Sequence, residues 1–228
     1  GISRRFSLIN IGRADSTGTI KSGATTINDP MHLRAGGTGG SLTATGIVNL
    51  GANALTITAD NISFSAADTI IGTGIITLQS GSASQTIGIA GGTGTNYTPL
   101  LAALKDGFTR VNIGRADHTG AIAIGGDVTF KDTTYLRSPG SGGKVTATGN
   151  ILLGAGADLH VMANNGGIAL KNIDGASDSD VLLSATNRGL ISAGVFGGAG
   201  QMADFVFTGD EINLTGNLTG KNVTLQSN

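Results

Sequence analysis

The stretch Asn10-Ile-Gly-Arg-Ala-Asp15 returns letter for letter as Asn112-Ile-Gly-Arg-Ala-Asp117, an offset of 102 residues (112 − 10). Its surroundings travel with it. Thr17-Gly18 matches Thr119-Gly120, and after a one-residue slip Leu33-Arg34 matches Leu136-Arg137. Thr43-Ala-Thr-Gly46 then matches Thr146-Ala-Thr-Gly149, and Leu50-Gly-Ala52 matches Leu153-Gly-Ala155. Internal repetition over such a run is the mark of an array, in which each unit stacks on its neighbours instead of folding around its own centre.

A second pair of matches fixes the length of each copy. Asp60-Asn-Ile-Ser-Phe64 and Thr77-Leu-Gln-Ser80 resemble Asp210-Glu-Ile-Asn-Leu214 and Thr224-Leu-Gln-Ser227. Copy one, from Phe6 to Ser80, spans 74 residues (80 − 6), and copy two, from Phe108 to Ser227, spans 119 (227 − 108). The difference of 45 residues (119 − 74) equals about two solenoid coils of ~20–25 residues. A solenoid absorbs whole coils without breaking its core, whereas a globular domain does not. The chain therefore divides into residues 1–107 and 108–228, two units of one continuous solenoid.

Within each copy the apolar residues alternate with Asn, Thr, Ser and Gly. Ile9/Ile11, Leu55/Ile57, Ile76/Leu78, Val111/Ile113, Leu159/Val161 and Phe205/Phe207 are examples. Short alternating runs between turn residues are strands with one buried face. Roughly 25 such strands at three per coil and about 4.8 Å per coil give a rod of ~40 Å. The expected class is all-β, a parallel β-solenoid wound as a right-handed β-helix. One segment departs from it: Thr98-Pro-Leu-Leu-Ala-Ala-Leu-Lys-Asp-Gly107 has an N-cap Thr, a Pro at the first helical position and a closing Gly. It predicts a short helix over 98–107 that docks Leu100, Leu101 and Leu104 on the solenoid wall. At the same offset, Gly1–Phe6 aligns with Ala103–Phe108, so the chain is expected to begin in the last turn of an equivalent helix.

Composition narrows the function. The 228 residues hold 39 Gly, 13% charged and 4% aromatic residues, no Cys and no Trp, and the net charge is −1. That balance carries no electrostatic footprint for nucleic acid or an anionic membrane. Without cysteine there is no disulfide framework and no thiolate metal site. No apolar run reaches the ~20 residues of a helical membrane span. The absence of an initiator Met, a leader and an anchor suggests a piece of a longer protein.

The strands of Ile57-Thr-Ala-Asp-Asn-Ile-Ser-Phe64 and Leu218-Thr-Gly-Lys-Asn-Val-Thr-Leu-Gln-Ser227 resemble the repeat region of filamentous-haemagglutinin-like exoproteins. The resemblance implies a right-handed β-helix, export to the bacterial surface or the medium, and a role in adhesion. The thinly spread acids and histidines point to no enzyme and no cofactor, and the open ends of a solenoid point to neighbouring repeats or head-to-tail copies as partners, beside a cell-surface glycan. The helix at 98–107 and the Asn-Ile-Gly-Arg-Ala-Asp block depart from a plain repeat of that family.

Candidate sites are few. The repeated charged feature comprises Asn10, Arg13 and Asp15, and Asn112, Arg115 and Asp117; a ligand contact once per copy is one reading, and an Arg–Asp pair that satisfies a corner is the plainer one. Asp174, Asp178 and Asp180 could gather oxygens for Ca²⁺. Their spacing matches neither an EF-hand nor a calcium β-roll, so a solvated turn is the simpler expectation. His32 aligns with Tyr135 and His118 with Ser16, so neither position demands imidazole; His160 points outward by alternation. Ser138–Val145 fails the phosphate-loop pattern. The Thr43/Thr45, Thr56/Thr58 and Thr146/Thr148 pairs do not recur on every coil, as ice binding would require. The Asn-x-Ser/Thr sequences at Asn61, Asn96, Asn213, Asn217 and Asn222 would matter only in a eukaryotic secretory host. A carbohydrate-active β-helix enzyme is the alternative reading, and it needs carboxylates or an Arg or Lys base gathered in a groove.

Overall fold

The computed structural model describes residues 6–64, 66–197 and 202–227. The first coil carries β1 (Ile9–Arg13), β2 (Thr19–Ser22) and β3 (Thr25–Thr26). The second carries β4 (Met31–Ala35), β5 (Ser41–Ala44) and β6 (Val48–Asn49), and the third β7 (Leu55–Ala59), β8 (Asn61–Phe64) and β9 (Ile70–Ile71). The fourth holds β10 (Ile75–Gln79), β11 (Ile87–Ile89), β12 (Thr95–Asn96) and the helix α1 (Thr98–Ala103). Then come β13 (Arg110–Ile113), β14 (Ala121–Ile124) and β15 (Val128–Phe130), followed by β16 (Thr134–Ser138), β17 (Lys144–Ala147) and β18 (Asn150–Leu153). The last coils carry β19 (Leu159–Ala163) and β20 (Gly167–Asp174), β21 (Val181–Ala185) and β22 (Leu190–Phe196), β23 (Met202–Thr208) and β24 (Glu211–Leu214), and finally β25 (Gly220–Gln226); β20 is long enough to pair with both β17 and β18.

Every strand pairing is parallel, and the first strand of each coil joins one sheet of ten, β1-β4-β7-β10-β13-β16-β19-β21-β23-β25. The winding is that of a right-handed parallel β-helix. Nine steps of about 4.8 Å give this principal wall a length of ~43 Å. From β1 to β10 the wall climbs three steps, and from β13 to β25 five, so the second copy is longer by two whole coils.

The register explains the alternation. Leu55, Ile76, Val111, Leu159, Val181 and Phe205 stack inward in one column, interrupted at Thr134, whose hydroxyl donates to the Asp132 carbonyl at 2.8 Å. Leu33, Ile57, Leu78, Ile113, Leu136, Val161, Leu183 and Phe207 form the next. Side chains such as Ile76 and Leu78 are wholly buried, and each contributes about 1.5–3 kcal/mol relative to exposure. Near the far end the column becomes aromatic: Phe196 meets Phe205 edge to face at 5.7 Å and Phe207 at 5.6 Å.

The helical segment is shorter than its sequence suggests. It covers Thr98–Ala103 and not 98–107, because Leu104 is already extended and bridges to Ile70 of β9. Tyr97 rather than Thr98 precedes the first turn, and the Thr98 hydroxyl is occupied by the Ala90 N–H at 2.7 Å. Leu100 and Leu104 are buried, Leu101 is partly buried against the core, and α1 packs against β8, so the three leucines dock on the solenoid wall as their spacing predicts. Tyr97 ties the insertion down: it is fully buried and its hydroxyl donates to the Ala59 carbonyl at 3.0 Å. The expectation of an equivalent helix turn at residues 1–5 lies outside the described residues.

Candidate functional site

The outward face of the principal wall is mostly short and polar, with Thr56, Thr58, Thr77, Gln79 and Asn112 on its middle rungs. Over β13, β16 and β19 the character changes. Tyr135 on β16 stacks on His160 of β19, with ring centres 4.1 Å apart and planes 5° from parallel. The register places the two directly above one another, so the stack follows the solenoid axis. Arg110 lays its guanidinium over the other face of Tyr135, 4.9 Å from the ring centre. Arg137, two residues beyond Tyr135, donates from Nη2 to the Gly114 carbonyl at 3.3 Å. Burial and then the Arg110 charge lower the Arg137 pKa. Burial also holds His160 below its ordinary 6.5, against the opposing pull of Asp158 and Asp180. None of these four side chains was singled out by motif; only the register of the strands assembles them.

The repeated hexapeptide proves to be two structures in sequence. Asn10 and Asn112 sit mid-strand on β1 and β13, facing outward, and the Asn112 amide donates to the Thr77 hydroxyl at 3.0 Å. Arg13 and Asp15 instead close the turn that follows β1, through Nε–Oδ1 at 3.1 Å and Nη2–Oδ2 at 2.9 Å. The twin fork joins Arg115 to Asp117 at 2.8 and 3.0 Å, and holds the Asp117 carboxyl below the usual range. Between Asn and Arg, Gly12 and Gly114 take φ of +85° and +94°. A Cβ there would stand 2.0 Å from the Arg34 carbonyl oxygen and 2.1 Å from that of Arg137, so the motif requires glycine for close coil contact.

The three aspartates proposed for Ca²⁺ are not drawn together. Asp174 accepts its own neighbour's N–H from Gly175 at 2.9 Å, Asp178 is exposed, and Asp180 belongs to a different array. Among the described residues no group of three or more His, Asp or Glu is placed to hold a metal ion. Asp180 forms part of a column at the entrance to the principal wall. Its N–H donates to Asp158 Oδ1 at 2.9 Å, its own Oδ1 accepts from the Asp204 N–H at 3.0 Å, and Asn222 closes the series on Asp204 at 2.8 Å.

The histidines divide by position. His32 is half-buried and its Nε2 lies 2.7 Å from the Thr58 hydroxyl, which also accepts from Gln79. His118 is fully buried in the corner after Arg115, and neither ring nitrogen has a hydrogen-bond partner. Burial, aided by the charge of Arg115, lowers its pKa from the ordinary 6.5, while the Ala121 backbone and the Asp117 carboxylate pull the other way.

No protein-family model, no curated protein and no solved structure matches the chain. The β-helix itself fits a structural or adhesive repeat region; the closer resemblance to haemagglutinin-like adhesins stands on the sequence alone.

Proposed function

We propose that this chain is a non-enzymatic structural and adhesive segment of a large extracellular protein, displayed on or secreted from a bacterial cell. One observation carries the reading: an unbroken ten-stranded parallel wall, its inside packed with stacked aliphatic columns and its outside a mixture of Thr, Asn and Gln with scattered Arg, His and Tyr. Ladders of hydrogen bonds along the axis resist bending, and short polar outer side chains keep such a rod soluble. Antibodies raised against the chain should label intact producing cells or the medium, and protease shaving of intact cells should remove the epitope. An epitope found only after lysis would end the extracellular reading.

Head-to-tail stacking of copies, or the docking of further coils, belongs to the same proposal. Ile11 on the first rung is 42% exposed, and Val223 and Leu225 on the last are 44% and 50% exposed. Both rungs lie at edges of the principal wall, where strand ladders accept another parallel strand. Sedimentation velocity over a hundredfold concentration range should show growth into linear oligomers; a strictly monomeric profile would remove self-stacking.

A carbohydrate-active enzyme remains the second reading, favoured by Arg110, Tyr135, His160, Asp158 and Asp180 sharing one stretch of wall. Cleavage of pectin or alginate by the purified chain, abolished by Asp158→Asn or Arg110→Gln, would establish it over the rod.

A further inference from the structure

We infer that the guanidinium groups of Arg110 and Arg137, on neighbouring rungs of the principal wall, together bind the carboxylate or sulfate group of an acidic polysaccharide. The inference rests on the adhesive reading for the size of the ligand, and on the side chains for its chemistry.

The two guanidinium groups stand on neighbouring rungs of one face with no carboxylate to neutralise them. Among the described residues the ion pairs are Arg13–Asp15, Arg115–Asp117 and Lys131–Asp68, and neither Arg110 nor Arg137 takes part. Both are only half-exposed, and the Nε of each is enclosed with no hydrogen-bond partner. Each head is held in place: Arg110 by the face of Tyr135, Arg137 by the Gly114 carbonyl. Two preorganised cations on one face favour an oxyanion, to which each guanidinium can offer its terminal N–H donors.

The rim selects the carrier. Thr77, Gln79 and the outer edges of Tyr135 and His160 present hydroxyl, amide and ring-nitrogen groups suited to sugar hydroxyls. Asp158 and Asp180 follow on the next rungs and would repel a polyanion as dense as nucleic acid, which carries about one charge per 1.7 Å of duplex. A chain with one charge per sugar can set its oxyanion between the arginines and pass neutral hydroxyls toward the rest of the wall. The first copy supplies an internal control. Arg34 occupies the place of Arg137, but Leu8 stands where Arg110 would be (110 − 102), so the paired cation exists only in the second copy.

Isothermal titration of the intact 228-residue chain tests the inference against polyglucuronate, dextran sulfate, neutral dextran, inorganic sulfate and single-stranded DNA. Binding of polyglucuronate or dextran sulfate, weakened at least tenfold in Arg110→Gln and in Arg137→Gln and unchanged in Arg34→Gln and Arg13→Gln, is the expected result. Which of the two polymers binds tells carboxylate from sulfate. Circular dichroism and melting of each variant separate loss of binding from loss of fold. No binding of either acidic polymer, equal binding of neutral dextran, tighter binding of DNA, inorganic sulfate bound as tightly as the polymers, or folded arginine variants with full affinity would each overturn it. A chain that fails here but is still displayed on cells would lose this site and keep the adhesive reading.

Discussion

The two copies of Asn-Ile-Gly-Arg-Ala-Asp have the same letters and different surroundings. Arg13 and Asp15 lie on the first rung with side chains 80% and 71% exposed, whereas Arg115 in the middle of the rod is 25% exposed. Arg115 has a preceding coil to lean on, and Nη1 reaches the Gly81 carbonyl there at 3.3 Å. Ile11 is 42% exposed and its twin Ile113 is 0% exposed. In a solenoid a residue's contribution is therefore set by whether a coil lies on both sides of it, more than by what the residue is.

The comparison can be broken most directly at the isoleucines. Ile113→Ala should destabilise the chain by about 3–4 kcal/mol through a cavity in the stacked column, and Ile11→Ala by under ~1 kcal/mol. Urea titrations of the two variants measure this, and equal losses would mean that the first rung is as well supported as the fifth.

Next come the glycines. Gly12→Ala and Gly114→Ala carry the same clash with an arginine carbonyl of the following coil, and the second should lower stability by about 3 kcal/mol. In Gly12→Ala the first coil can fray and relieve the clash, so the loss by thermal melting should be smaller and amide exchange should rise only in β1.

Smaller still is the effect at the arginines. Arg115→Gln should cost about 1 kcal/mol by giving up its carbonyl contacts to the preceding coil. Arg13→Gln should leave the melting temperature unchanged, since an exposed pair adds little.

The finest test is titration. His118, His32 and His160 all have pKa values lowered from 6.5 in the fold. Below about pH 6.5 the unfolded chain takes up protons that the folded chain refuses, so stability rises with pH there and falls as pH drops toward the depressed values. Above pH 6.5 these groups contribute no slope. His118→Leu should flatten the acid limb of a stability–pH curve by up to one proton, and an unchanged limb would show that the buried ring is not the group responsible.

Much of this architecture was legible in the sequence because a parallel coil repeats its demands. Inward positions such as Ile57, Leu78 and Ile113 must be apolar on every rung, and the period of two shows through. The two extra coils of the second copy were legible for the same reason. The end of α1 was not, because Leu104 continues the helical spacing of Leu100 yet is recruited by Ile70 into a strand bridge. That choice depends on a contact 34 residues away (104 − 70). The Arg110, Tyr135, Arg137 and His160 group was hidden differently. Its members lie up to 50 residues apart (160 − 110), on strands whose register only the fold supplies. The hexapeptide drew attention by repetition, and part of what it repeats is the close coil contact at Gly12 and Gly114.

The column of Asp158, Asp180 and Asp204 shows how such a chain can change length. Asp180 meets Asp158 below through its own backbone N–H and offers Oδ1 to the Asp204 N–H above, so Asp158 and Asp180 present the same acceptor to the coil that follows each of them. Excision of residues 159–180 would bring Asp158 directly before Val181 and under the Asp204 N–H, with Leu136 beneath Leu183 and Val145 beneath Ile191. The splice keeps apolar residues stacked on apolar residues in these inward columns, while it removes the Tyr135–His160 stack and sets Asn150 beneath Val195 in place of Asn172. Gain or loss of one coil would therefore change the length of the solenoid by about 4.8 Å while its inward columns stay apolar.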